Sequence, residues 1–328
     1  MRRHLVIARV GRKSLHPFWQ DPSRERSWDL YLCPFQDIPV APDIDCITGE
    51  VLPGPKWTGL RTLLNTWDGW RDYEYIWLPD DDIFTNQNDI DAMFGFGEAL
   101  QFDLFAPALQ ENSYYAHYIT MANRRFFARR VGFVEIMVPC FRRSTLEQLL
   151  PTLELTTTGW GWGLDSVWPK LLKYQRLGIL DGVSVLHSRP VGNFRDPELG
   201  RRVMEESDLL LAAHNCRQEM TTFSGFDETL AELALTPDEL LVRLIEGWRY
   251  LYARDPSVLR WTVEHQRGAF EWPKYGTEGA PSGPRSSVIK VARDATFGAT
   301  PQQTFGALPQ HKKGARRAAK SIASADVP

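Results

Sequence analysis

Cysteine is scarce: four residues in 328, Cys33, Cys46, Cys140 and Cys216, too widely spaced to form a metal-binding pair. They read as reduced, partly buried thiols. Charge of one sign is missing too. The formal net charge is -3, without the basic excess of a nucleic-acid-binding domain. No apolar run approaches the length that crosses a bilayer, and the stretch after Met1-Arg2-Arg3-His4 is too short for a secretory h-region. These absences predict a cytoplasmic protein with no nucleic-acid partner and no transmembrane segment. Internal repeats are absent, and the lone Gly11 after the first apolar run makes no phosphate-binding fingerprint. Aromatic residues, by contrast, make up 12% of the chain, with 12 Trp. An indole N–H is costly to bury unpaired, so such rings suit clefts and interfaces as well as a large core. The length allows one large domain, or a domain with additions.

The chain is organised around Tyr75-Ile76-Trp77-Leu78-Pro79-Asp80-Asp81-Asp82-Ile83. Residues 73–78 are short, aromatic and β-branched, which predicts a buried strand, and Pro79 ends it because it cannot donate to a ladder. Along an extended chain Asp80 and Asp82 point to one side. Two carboxylates so close repel unless a cation stands between them or one holds a proton. Oxygen ligands at a strand end suit Mg²⁺ or Mn²⁺ with substrate phosphates; a solvated acidic turn is the plain alternative.

Around this knot the pattern alternates strands and helices. Residues 5–8, 29–33, 104–109, 133–141 and 179–187 read as strands. Helices are predicted from Lys56 to about Trp67, from an Asn88 or Asp89 cap to about Leu100, and from a Ser144 or Thr145 cap to Leu150. Residues 34–55 read as loop. Lys56 reads as a phosphate-neutralising cation or a surface residue. Glu135 lies among apolar neighbours and needs a partner, structural or chemical. Tyr114, Tyr115, His117 and Tyr118 suit a cleft wall. In Gly159-Trp160-Gly161-Trp162-Gly163-Leu164-Asp165 the glycines allow close approach to a ligand, and Asp165 is a base or a helix cap. His187 closes a strand, as a structural residue or a ligand. Residues 208–265 turn helical with packing faces of Leu. Residues 273–328 have the composition of a disordered tail.

Across residues 56–192 the chain resembles the family called domain of unknown function 707. The residues that carry this are Lys56-Trp57, Trp77-Leu78-Pro79-Asp80-Asp81-Asp82, Phe133-Val134-Glu135-Ile136-Met137, Gly161-Trp162-Gly163-Leu164-Asp165 and His187-Ser188-Arg189-Pro190-Val191-Gly192. A looser resemblance is to metal-dependent glycosyltransferases of the GT-A type, with an Asp-x-Asp after an apolar strand, a Gly-Trp-Gly run before an acid and a late His. That likeness implies an α/β fold: a mixed, mostly parallel sheet flanked by helices in residues 1–200, with a helical extension in 201–272.

It further implies Mn²⁺ or Mg²⁺ on Asp80, Asp82 and His187. Asp80, Asp81, Lys56 and Arg189 would stand at a UDP- or GDP-sugar donor, and Trp160, Trp162 and His117 at a carbohydrate or other hydroxyl acceptor. Asp165 is then the first choice of base and Glu135 the second. Three rival readings stand beside it: a glycoside hydrolase with two carboxylates, a carbohydrate-binding protein without activity, and a haloacid dehalogenase-type phosphatase. The last normally has Thr or Val where this chain has Phe84.

Overall fold

The computed structural model describes residues 2–39, 44–192 and 196–268. Its first strand, β1 (His4–Val10), is buried along its whole length, as a strand covered on both faces must be. It lies between β2 (Trp28–Pro34) and β4 (Tyr75–Trp77), parallel to both, and β2 carries the short β3 (Ile47–Thr48) at the sheet edge. Then come β5 (Ile83–Phe84), β6 (Leu104–Leu109), β7 (Ala128–Val131), β8 (Cys140–Arg142), β9 (Leu177–His187) and β10 (Thr222–Phe226). The sheet order is β10-β7-β9-β6-β8-β4-β1-β2-β3, with β5 paired to β9 off this path. Only β5, β7 and β8 run against the others. The result is an α/β fold, a mixed and mostly parallel sheet with helices packed on it.

The helices are α1 (Lys56–Thr66), α2 (Gln87–Ala99), α3 (Arg143–Leu149), α4 (Leu164–Leu171), α5 (Pro197–Ala213), α6 (Pro237–Gly247), α7 (Arg249–Tyr252) and α8 (Ser257–Gln266). The predicted α1 packing face is realised, with Leu60, Leu63 and Leu64 buried. Two caps differ from expectation. Asn86, not Asn88 or Asp89, caps α2 by accepting the Asp89 N–H, and α3 starts at Arg143 without a side-chain cap.

A larger difference falls at residues 133–141, predicted as one strand. The chain leaves β7 at Val131 and returns to the sheet only at Cys140. The residues between are buried, so their composition imitates a strand, but their carbonyls are spent elsewhere. Those of Ile136 and Met137 accept from the Lys56 ammonium, that of Val138 from the Trp77 indole, and that of Pro139 from the Leu78 N–H.

The extension beyond residue 200 is not wholly helical. β10 adds to the sheet antiparallel to β7, while α6, α7 and α8 pack together at that end. Trp248 anchors them: its ring N–H donates to the Met121 carbonyl, and the Arg129 guanidinium lies 4.7 Å from its ring. Among the described residues no helix is long and apolar enough to cross a membrane. The tail at 273–328 lies outside the described residues.

Candidate active site

Three consecutive carboxylates leave the end of β4, and each meets a different basic side chain. Asp80 Oδ1 lies 2.7 Å from the Lys56 ammonium, Asp81 Oδ1 is 3.1 Å from Arg189 Nη1, and Asp82 Oδ2 is 3.3 Å from His187 Nε2. The repulsion evident from the sequence is therefore met from within the chain. Lys56 is not a surface residue. It opens α1 with its side chain only 14% exposed, and it also donates to two carbonyls of the 132–139 crossing. Burial pulls its pKa down against the raising pull of Asp80. Asp80 is pushed up, by burial first, with Lys56 opposing and Asp82 reinforcing the rise.

Asp81 is the strut of the site. Besides Arg189 it accepts the Gly11 N–H at 3.1 Å, and its own carbonyl accepts from the Leu15 N–H at 2.7 Å. Arg189 also donates to the Lys13 carbonyl. Arg189 and Asp81, both expected at the donor, thus tie the loop after β1 to the segment after β9. Burial, opposed by Arg189, brings Asp81 up to about 6.

His187 reaches Asp82 because β5 pairs antiparallel with β9, setting Ile83 opposite His187. The Ser188 N–H and hydroxyl both donate to the Asp82 carbonyl. His187 Nδ1 lies 2.7 Å from the Tyr114 carbonyl; a carbonyl only accepts, so Nδ1 carries the proton and Nε2 faces Asp82. Burial pulls the His187 pKa down, but the hydrogen bond and charge of Asp82 outweigh it and the net shift is upward. A carbonyl fixing the far nitrogen is the usual support of a metal-bound His. Ligands about 2.0–2.1 Å from an octahedral ion sit roughly 3 Å apart, and the Asp82–His187 separation of 3.3 Å is of that size. This pair fits a divalent ion. Asp80 is turned to Lys56, and among the described residues no group of three or more His, Cys, Asp or Glu is gathered at one metal position. Of the expected set of Asp80, Asp82 and His187, the structure brings Asp82 and His187 face to face and pairs Asp80 with Lys56.

Glu135 and Asp165 complete the charged cluster. Glu135 is buried in the 132–139 crossing and its Oε2 has no hydrogen-bond partner. Burial, then the Asp165 charge, pushes its pKa up to about 8, with His187 and Lys56 pulling the other way. Asp165 lies in the first turn of α4, but the cap is Gly163 at φ 97°. A residue with a side chain is strained there, and Asp165, two positions on, is not the cap residue. Burial raises Asp165 to about 7, against hydrogen bonds from Ser166 and nearby backbone amides.

Trp160 is partly exposed on the loop before α4, and Trp162 is half-buried beside Gly192. His117 packs against the 132–139 crossing. Its ring packs edge-on against Phe133, 4.6 Å between centroids, and burial lowers its pKa to about 4. Sequence reasoning passed over Ser113 and gave Tyr114 and Ser188 no part in setting His187 and Asp82, because backbone carbonyls and hydroxyls leave no compositional mark. It passed over Glu206 as well, an ordinary polar residue of α5.

No family model matches the chain, and no curated protein matches it in sequence. The likeness to domain of unknown function 707 therefore rests on the residues quoted above alone. Among solved structures, TarS 1–349 of S. aureus is 9% identical, with TM-score 0.42, over 82% of this chain and 80% of that one. The same protein in complex with UDP-GlcNAc is 10% identical, with TM-score 0.41, over 82% and 80%. A chain of Desulfovibrio desulfuricans G20 assigned as a nucleotide-diphospho-sugar transferase is 11% identical, with TM-score 0.34, over 65% of this chain and 99% of that one. With TM-scores below 0.5, these likenesses carry no weight for the chemistry of this chain.

Proposed function

We propose that this protein is a glycosyltransferase that moves a sugar from a nucleotide diphosphate donor, a UDP- or GDP-sugar, to a hydroxyl acceptor with a divalent cation. The observation that carries the reading is the meeting of Asp82 Oδ2 with His187 Nε2, its far nitrogen fixed by Tyr114, beside the Lys56–Asp80 ion pair and two buried acids. Mn²⁺ or Mg²⁺ held by Asp82 and His187 would supply countercharge to a leaving diphosphate.

The remaining work belongs to the chain. Asp80 holds the Lys56 ammonium against the carbonyls of Ile136 and Met137, which fixes one positive charge at the floor of the site. Asp165 takes the proton of the acceptor hydroxyl, and a pKa of about 7 suits a base working near neutrality. Trp160 and Trp162 offer ring faces to the acceptor. Glu135, raised to about 8, is protonated at neutral pH and is a donor to a ligand oxygen rather than a base. His117, packed on Phe133 of the same crossing as Glu135, would stand behind these groups as part of the acceptor wall.

One observation favours a second reading. Two buried carboxyl groups with separated pKa values, Glu135 and Asp165, are also the equipment of a glycoside hydrolase. Such an enzyme needs no metal, so hydrolysis that survives chelation would select it.

Calorimetry of UDP and GDP binding with and without Mn²⁺ tests the main reading. Asp82→Ala is expected to weaken Mn²⁺-dependent binding at least about 100-fold, since even outer partners of a metal site contribute 10–100-fold. Melting should remain cooperative. Unchanged Mn²⁺-dependent binding in the folded variant would remove Asp82 from the site.

A further inference from the structure

The loop that carries Trp160 and Trp162 has no regular structure of its own, so its backbone groups need partners from outside. One carboxylate supplies them. Glu206, half-buried on α5, accepts from the Thr156 hydroxyl (2.8 Å), the Thr157 N–H (2.7 Å) and hydroxyl (2.5 Å), and the Thr158 N–H (2.8 Å) and hydroxyl (2.7 Å). Five donors saturate a group with about four lone-pair sites. Burial alone would raise its pKa, but these hydrogen bonds outweigh burial and hold it below the usual carboxylate range.

The arrangement then passes one step further. The Thr156 hydroxyl has one proton, directed at Glu206, so its oxygen is left to accept. It accepts from the Gly159 N–H at 3.1 Å and the Gly161 N–H at 3.2 Å. These are the glycines on either side of Trp160, at φ 74° and 76°. The Gly159 carbonyl in turn accepts the N–H of Trp57, the neighbour of Lys56. A Cβ on Gly161 would lie 2.3 Å from the Trp57 ring, so the loop is seated directly on α1.

We propose that Glu206, acting through Thr156, is the positioning residue that locks the Gly-Trp-Gly loop in place, so that the acceptor platform is preformed and not a lid. The acceptor role of the loop rests on the transferase reading; the lock itself does not. Holding a binding surface in its working geometry before the ligand arrives lowers the cost of binding. Gln at 206 keeps one accepting oxygen and turns an NH₂ toward groups that are themselves donors. Val at 156 has the shape of Thr but breaks the same relay from the other end.

The test uses the full chain as wild type, Glu206→Gln, Glu206→Asp and Thr156→Val. Amide hydrogen exchange is followed by mass spectrometry, and UDP binding with Mn²⁺ by calorimetry. Exchange across residues 156–163 is expected to quicken roughly tenfold or more in Glu206→Gln and Thr156→Val, since charged hydrogen bonds hold the loop closed. Exchange in β1 and β6 stays unchanged, UDP affinity moves less than about twofold, and Glu206→Asp recovers part of the protection. Unchanged exchange at 156–163 in both variants would overturn the proposal. So would exchange that rises equally throughout the sheet, because Glu206 would then be a general stability residue. Failure of the wild type to bind UDP or GDP would sink the donor reading, while the exchange arm would still decide the lock.

Discussion

Replacing Asp165 by Asn is expected to lower transfer by about 10²–10⁴-fold, the usual contribution of a positioned general base, while donor binding stays within about twofold. Asn keeps the shape and one accepting oxygen for the Ser166 hydroxyl. It removes the charge and with it the ability to take a proton. The pH profile gives a second check. Burial raises the Asp165 carboxyl to about 7, so the form that accepts a proton is gained as pH rises through that value. The wild-type rate should therefore climb through about pH 7, and that limb should vanish from the residual activity of Asp165→Asn. A variant that turns over at the parental rate, with donor consumption measured at saturating acceptor, would take Asp165 out of the base role and leave its burial without a chemical purpose.

The largest expected effect on stability lies away from the acids. Arg129 and Asp181 are both wholly buried. Arg129 Nε and Nη2 lie 2.8 and 2.9 Å from the two carboxylate oxygens. The same guanidinium donates to the carbonyls of Ile119 and Met121, and Asp181 accepts the Asn123 N–H. The pair thus fastens the 119–123 segment to β7 and β9, on the side where Trp248 brings in the C-terminal helices. Arg129→Met leaves the Asp181 carboxylate buried without a countercharge, which costs about 3–5 kcal/mol. In a domain of this size that lowers the melting temperature by roughly 6–20 °C.

Burial already raises the Asp181 pKa even with Arg129 opposing it. Without Arg129 the folded-state value rises further above the unfolded one, so the folded state holds the extra proton at low pH. The deficit of the variant is then smaller near pH 4 than near pH 8. Differential melting of the single variant and of Arg129→Met/Asp181→Asn checks both points. The double variant should recover part of the loss, and a single variant as stable as wild type would show that the pair holds nothing together.

How much of this was legible beforehand differs from element to element. Strand β6 falls at Leu104–Leu109, where its apolar run stands in the sequence, and α1 begins at Lys56 as its periodicity predicts. Composition and period determine such elements because burial of a face is a local property of the residues. The run at 133–141 defeated the same logic. It is as apolar as a strand, yet Lys56, Trp77 and Leu78 take its carbonyls and hold it out of the sheet. The grouping of the site was legible in part. The acids at the end of β4 and the glycine-tryptophan loop stand out as residue types in unusual company. Which base meets which acid did not, since Lys56, Arg189 and His187 are all positive or titratable and all distant along the chain.

What the chain's order of residues determined by itself is an alternating α/β protein in which a buried aromatic strand delivers three carboxylates to one point. What only the tertiary structure decided is the use of those carboxylates. Asp80 is given to Lys56, Asp81 becomes a strut between two loops, and Asp82 is left facing His187. The reason is physical. Burial periodicity is encoded by near neighbours, whereas the pairing of charges depends on strand register, here β5 against β9, which joins residues about a hundred positions apart only once the sheet has formed.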